Sequence, residues 1–193
     1  MSRWFWLDLA LKLAVVGQLL LAVVGPDLPQ FEGKAMEARA VVYPVAMLVV
    51  PAVWLVLRRR RPIGYPYALD ILWTLPFFID VTGNTANLYD TIGWWDDLNH
   101  FVNWGILVAA FGQLLIRFPL TRLVASGLAI GFGAVTAILW EFAEYVGFIH
   151  ANEEELATAY TDTLGDLALG LSGSVAAALL TVFLLWPLPA PRT

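Results

Sequence analysis

The sequence predicts an all-α, polytopic membrane helix bundle of about six transmembrane helices, and three observations carry that prediction. The first is composition. Of 193 residues, 60% are hydrophobic and 14% charged, with a mean hydropathy of +0.72, whereas water-soluble domains sit nearer half apolar and a quarter charged. The second is the recurrence of apolar stretches close to the ~20 residues that a helix needs to cross a bilayer. The third is a set of nine tryptophans and six tyrosines, which suits aromatic belts at two water interfaces. The absence of cysteine excludes a disulfide framework and any Cys-based metal or redox site. No soluble-looking stretch is long enough for a separate domain, so residues 1–193 read as one integral membrane domain.

The apolar windows fall at about residues 4–25, 38–57, 65–81, 98–116, 122–146 and 160–186. The first lies in "MSRWFWLDLALKLAVVGQLLLAVVG", whose basic start resembles a signal peptide. Asp8 and Lys12 interrupt the run, however, and no small-x-small cleavage pattern precedes Pro26, so it reads as a retained span. Asp8 and Lys12 are spaced to pair on one helix face. The second window ends at the run Arg58–Arg61. The third is short and holds Asp70, for which pairing or a buried water is expected, and Pro76 should kink or break it. The following "TGNTANLYDTIGWW" opens on a Gly-Asn turn signal and ends on interfacial tryptophans. The fourth window begins within "WWDDLNHFVNW". In the fifth, Gly127 and Gly131 have the spacing that lets helix backbones approach; the sixth carries Gly165, Gly170, Gly173 and Ser174. These residues should draw spans five and six together.

Orientation follows from basic residues in the short loops. The Arg58–Arg61 loop is expected to be cytoplasmic. Alternation then puts Arg3, Arg117, Arg122 and Arg192 on the same side, leaving Lys34 and Arg39 outside. Both termini are thus expected inside. The polybasic run reads as this topology signal, not as a nucleic-acid or lipid-specific patch, and no nucleic-acid partner is expected.

The same orientation gathers acids on the external side. Asp96-x-x-x-His100 starts span four, Glu141-x-x-Glu144 ends span five, and Asp162-x-x-x-Asp166 opens span six. Each pair shares a helix face. Six lipid-facing charges at ~1–2 kcal/mol each would cost on the order of 6–12 kcal/mol, comparable to the whole stability of a domain. They should therefore face the bundle interior. With no basic partner expected among them, either several stay protonated or a cation sits between them. Carboxylates and a histidine on facing helices are how bundle metal sites are built, and this donor set suits Mg, Mn, Fe or Zn. The expected ligands are Asp96, His100, Glu141, Glu144, Asp162 and Asp166, with His100 and Glu141 as the catalytic pair. Asp80, Asp97 and Asn103 are possible additions: Asp80 as a ligand from a further helix, Asp97 as a solvated cap, Asn103 as a hydrogen-bond partner that fixes the His100 ring. Acids at helix starts are favoured by the macrodipole, which offers a structural account of Asp96, Asp97 and Asp162 but not of Glu141 and Glu144. Glu153–Glu155, Asp90 and His150 read as exposed loop groups, and Tyr145 and Tyr160 as pocket walls or interfacial belt.

"WDDLNHF", "WEFAEY" and "TDTLGDLALGLSG" resemble, in order and internal spacing, the motifs of YjdF-like bacterial inner-membrane proteins, a group of unknown function. A more distant resemblance runs to VanZ-like proteins, where Asp96, His100, Glu141 and Asp166 match. Asp97, Glu144 and Gly170 depart from that pattern, and the family's basic group is missing. The resemblance covers about residues 80–175 and implies a multi-pass protein of the bacterial inner membrane with one shared polar site. Three functions fit these readings. The first is a metal-dependent hydrolase or transferase acting on a lipid or lipid-linked envelope substrate, with Asp162 and Asp166 as ligands. The second is a proton- or cation-coupled transporter. The third is a non-catalytic membrane subunit that meets an oligomer mate or another membrane protein.

Overall fold

A computed structural model describes residues 2–60, 62–147 and 149–185. It is helical, with no strand among the described residues. Ser2 caps α1 (Arg3–Val24) by accepting the Phe5 amide. The second window is two helices, α2 (Met36–Met47) and α3 (Val49–Arg58), which meet at Leu48 between Pro44 and Pro51. Then follow α4 (Tyr67–Thr85), the short α5 (Leu88–Thr91), α6 (Trp95–Leu115), α7 (Arg122–Gly147) and α8 (Glu153–Leu180), the last closing in a π-helical turn over Thr181–Leu185.

Among the described residues, five helical segments are long and apolar enough to cross a membrane: Arg3–Val24, Met36–Arg58, Trp95–Leu115, Arg122–Gly147 and Leu156–Leu184. The third expected span, α4, is not among them, and its packing explains why. It lies against α1 and α6, and Ala68 is the only exposed residue in it. A helix wrapped in protein need not be apolar all round, so α4 carries Asp70, Asp80 and Asn84 inside the bundle. The other helices turn valines, leucines and phenylalanines outward; Leu13, Val41, Val45, Leu139 and Phe183 are all more than half exposed. That is the surface of a protein solvated by lipid.

One expectation about α4 is narrowed and one is corrected. The helix continues through the buried Pro76, so the proline does not break it. The Gly83-Asn84 pair is not a turn: Asn84 donates to the Asp80 carbonyl one turn back, and Gly83 packs beneath Trp95 and Tyr89, so helix continues to Thr85. The chain turns instead at Asn87, with φ of 56°, a left-handed conformation that asparagine tolerates.

The core falls into two halves. Val15, Leu19, Tyr43, Met47 and Val81 join α1, α2 and α4; Val108, Leu115, Ala125, Ala129, Ala178 and Val182 join α6, α7 and α8. The α4–α6 seam links them through Leu69, Ala110 and Val50. The close approaches are not those expected. Gly127 and Gly131 face open space; the buried face of α7 is the four-residue ladder Ala125, Ala129, Gly133, Ala137 and Glu141. Two residues along an α-helix is about 200° of rotation, which takes Gly127 and Gly131 off that ladder. The tightest pair is α6 and α8. A Cβ on Gly173 would strike the Phe101 carbonyl, and one on Gly170 would lie 2.6 Å from the Trp104 ring.

Candidate metal centre

Helix periodicity delivers each side chain to the site. On α8, Asp166, Gly170 and Gly173 share one face, so the glycines that seat α8 on α6 also bring Asp166 to His100. On α7 the ladder of small residues ends in Glu141, which points the carboxylate inward. On α6 the first turn holds Asp96 and Asp97, and His100 follows Asp96 by one turn.

His100 is the hub. Its Nδ1 lies 3.1 Å from Asp166 Oδ1, 3.2 Å from the Asp96 carbonyl oxygen and 3.7 Å from Asp96 Oδ1. All three are acceptors, so Nδ1 carries a proton. Its Nε2 lies 3.4 Å from Glu141 Oε1, and that oxygen is buried with no hydrogen-bond donor. Two groups of donor atoms therefore meet at one ring: Asp96, His100 and Asp166 on one side, His100, Glu141 and Glu144 on the other, with atoms inside each group within 4.8 Å of one another. His100, Glu141 and Asp166 are buried, whereas the Asp96 side chain is 45% exposed and reaches water.

The expected absence of a basic partner is overturned. Arg39, on the first turn of α2, extends into the cluster: Nε is 3.1 Å from Asp80 Oδ2, Nη2 is 3.9 Å from Glu144 Oε1, and Nη1 donates to the Lys34 carbonyl. Asp80 is saturated by this network. Tyr43 donates to it at 2.6 Å and Tyr89 at 2.9 Å, and Asn84 approaches at 3.5 Å. Burial and the Asp80 charge push the Tyr89 hydroxyl up, so it stays a donor at neutral pH. Asp80 thus anchors Arg39 and belongs to neither donor group. A signal for Arg39 existed in the sequence. It is one of two basic residues that the loop-charge reading leaves outside, and Tyr43 lies one turn further along its face.

The remaining expectations divide. Asp97 is exposed, as a solvated group should be. Asn103 donates to Asn99 Oδ1 and not to the His100 ring, whose Nδ1 is held by Asp96 and Asp166. Asp162 is exposed and outside both donor groups. The pair Asp162 and Asp166 does not open its helix either. Asn152 accepts the Leu156 amide through its carbonyl, and α8 starts at Glu153, which occupies the favourable positive end of the dipole. Tyr145 and Tyr160 are exposed, which fits a belt and not a pocket wall. His150 is exposed too, with its ring nitrogen 2.9 Å from the Tyr145 carbonyl oxygen.

Two cavities meet at the cluster. One, of about 90 Å³, lies inside the bundle and has Phe77, Trp104, Leu107 and Trp140 as apolar walls beside His100 and Glu144. The other, of about 240 Å³, is a polar vestibule that includes Lys34, Asn152, Asp162 and Asp166. Arg39, Tyr89, Asp96 and Glu144 line both.

A family described as predicted membrane protein, DUF2238, matches residues 9–186. This is consistent with the resemblance to YjdF-like proteins, and a VanZ-like relation is not shown by it. No curated protein and no solved structure matches the chain.

Proposed function

The chain belongs to the DUF2238 family of predicted membrane proteins, and from that premise we propose that it is a metal-dependent hydrolase or transferase of the bacterial inner membrane, acting on a lipid or lipid-linked envelope substrate. It crosses the membrane six times, with α4 as the protein-wrapped crossing. Both termini and the Arg58 end lie in the cytoplasm, and the His100 cluster lies near the external surface.

One observation carries the reading. Glu141 Oε1, buried without a hydrogen-bond donor, lies 3.4 Å from His100 Nε2, the ring nitrogen that the Asp96 and Asp166 contacts leave over. Two ligands ~2.1 Å from one ion at a tetrahedral angle stand about 3.4 Å apart. A divalent cation held by His100 Nε2, Glu141 and Glu144 would satisfy both atoms. Such an ion supplies a Lewis acid and a water of lowered pKa. Asp166 and the Asp96 carbonyl hold the Nδ1 proton, which turns the Nε2 lone pair toward the glutamates, as carboxylates behind metal-bound histidines do. Asp96, the exposed carboxylate, is the group placed to exchange protons with water. The apolar walls beside the site suit the first carbons of a lipid tail, and the polar vestibule suits its headgroup.

Elemental analysis of the purified chain tests this. Wild type is expected to hold about one divalent ion per chain after reloading with Mg, Mn, Fe or Zn. His100→Ala and Glu141→Gln should lose it, and Asp162→Asn should keep it. Wild type free of metal after reloading would overturn the reading. A transporter is the second reading, favoured by a further buried ionic cluster around Asp70 at the opposite end of α4. Metal- or proton-dependent flux in proteoliposomes, lost in Asp70→Asn as well as His100→Ala, would favour it instead.

A further inference from the structure

At the Arg58 end, remote from the His100 cluster, the divergence of α3 opens a second kind of site. α2 stops at Leu48, and α3 leaves the bundle with only Val50 buried. The gap between α3, α4, α6 and α7 is an apolar slot of about 310 Å³, walled by Val53, Trp54, Trp73, Leu114 and Phe132. That volume is within the range of small-molecule pockets, ~300–1,000 Å³. One charged side chain lines it: Arg117. The same Arg117, with Pro66 and Leu69, also lines an adjoining cavity of about 410 Å³ that has Trp4, Tyr65 and Gln113 among its walls. The two spaces thus meet at one cation, the first apolar and the second of mixed lining, with Tyr65 and Gln113 beside Arg117.

Arg117 has no acidic partner among the described residues. A second cation stands over one wall of the slot: the Arg58 guanidinium lies 4.4 Å over the Trp54 ring, and Trp54 Nε1 donates to the carbonyl of Ile63, another residue of the slot wall, at 3.2 Å. An apolar slot, an adjoining cavity of mixed lining, one cation at their junction and a second over a wall of the slot are complementary to a molecule with a hydrocarbon tail and an anionic head. We propose that this is a binding site for one anionic phospholipid from the surrounding leaflet, its acyl chain in the slot and its phosphate at Arg117 and Arg58. The basic residues there bind a lipid as well as setting orientation. A juxtamembrane basic residue adds about 1 kcal/mol toward anionic lipid, roughly fivefold.

Native mass spectrometry of the full chain in detergent, titrated with phosphatidylglycerol or phosphatidylcholine of the same acyl chains, tests the site. Wild type should bind the first phosphatidylglycerol about fivefold or more tighter than phosphatidylcholine. Arg117→Gln should bring that ratio close to one. Val53→Trp, at a half-exposed wall residue, should fill the slot and weaken both lipids. If Arg117→Gln does not fold, Arg58→Gln, at an exposed helix end, must lower the ratio in its place. Equal binding of the two lipids by wild type, an unchanged ratio in the arginine variants, or unaltered binding in Val53→Trp would each overturn the proposal. So would a dimer that excludes lipid from the slot, since the occupant would then be a second copy.

Discussion

Asp70 and Asp80 occupy opposite ends of one buried helix, ten positions and about 15 Å apart, and the clusters around them are resolved differently. At the Asp70 end, Lys12 is 2.9 Å from Asp8 and also bonds Asp70, while the Tyr65 hydroxyl donates to Asp70 as well. Burial and the Asp70 charge push the Tyr65 hydroxyl up, which keeps it a donor at neutral pH. Two carboxylates thus face one ammonium and one hydroxyl. At the Asp80 end, Arg39 and three neutral donors satisfy Asp80, but the network runs on to Asp96, Glu141, Glu144 and Asp166, which share the Arg39 charge and the single Nδ1 proton of His100. Each end keeps one orphaned carboxylate oxygen, Asp70 Oδ1 and Glu141 Oε1. The first belongs to a carboxylate whose other oxygen already takes two donors. The second faces a ring nitrogen across a gap, beside cavities that open outward. Buried charge near its own counter-charge is architecture, whereas buried charge in excess beside a cavity is a place for something to bind.

The contrast breaks most easily at Lys12. Lys12→Met leaves two carboxylates without their cation inside the bundle, and losing one partner of a buried pair costs about 3–5 kcal/mol. Thermal unfolding in detergent should show a large fall in Tm, and Lys12→Met with Asp70→Asn should recover most of it. A single variant as stable as wild type would remove the distinction between the two ends. Glu141→Gln is the matching change at the other end and should act differently. The metal-free protein should unfold within ~1 kcal/mol of wild type, as for a substitution that breaks no existing hydrogen bond. The stabilisation by added ion, about 2.7 kcal/mol at a hundredfold excess over Kd, should vanish. Gly173→Ala comes next, at about 1–3 kcal/mol for overpacking. Its Cβ would meet the Phe101 carbonyl, a backbone atom that cannot swing aside, so α6 and α8 must part. Ion content should fall with Tm, because the same helix face brings Asp166 to His100.

The sequence carried the helical architecture and most of this site for a physical reason. Apolar length and basic loops are properties of single segments, and a charge in a spanning window must find an interior place, so His100, Glu141 and Asp166 were legible from energy alone. Arg39 was not, because its role depends on α2 lying beside α4, and local spacing cannot show which helices touch. Asp162 lies away from its expected place for a related reason. Its helix begins at Glu153, so a residue read as a helix start sits further along, on a face exposed to the vestibule. Gly83-Asn84 carries a correct local propensity that the tertiary setting overrides: a tyrosine and a tryptophan cover Gly83, and the Asp80 carbonyl takes the Asn84 side chain.

The smallest expected effect tests the rotation of α7, on which the site depends. Gly127 and Gly131 have the spacing of a helix contact, yet both face open space, while Gly133 lies against Ser174 and Val108. Gly127→Ala should therefore raise stability by about 0.5–1 kcal/mol, the usual gain from removing a glycine inside a helix. Gly133→Ala should lower it, since its Cβ would press on Ser174, whose hydroxyl is already committed to the Gly170 carbonyl. The difference in sign is the informative part. Gly133 and Glu141 lie on the same four-residue ladder, so the rotation that buries one aims the other at His100. If Gly127→Ala proved the destabilising change and Gly133→Ala the neutral one, α7 would be turned the other way. Glu141 would then face lipid, and the pairing of its orphaned oxygen with His100 Nε2 would be lost.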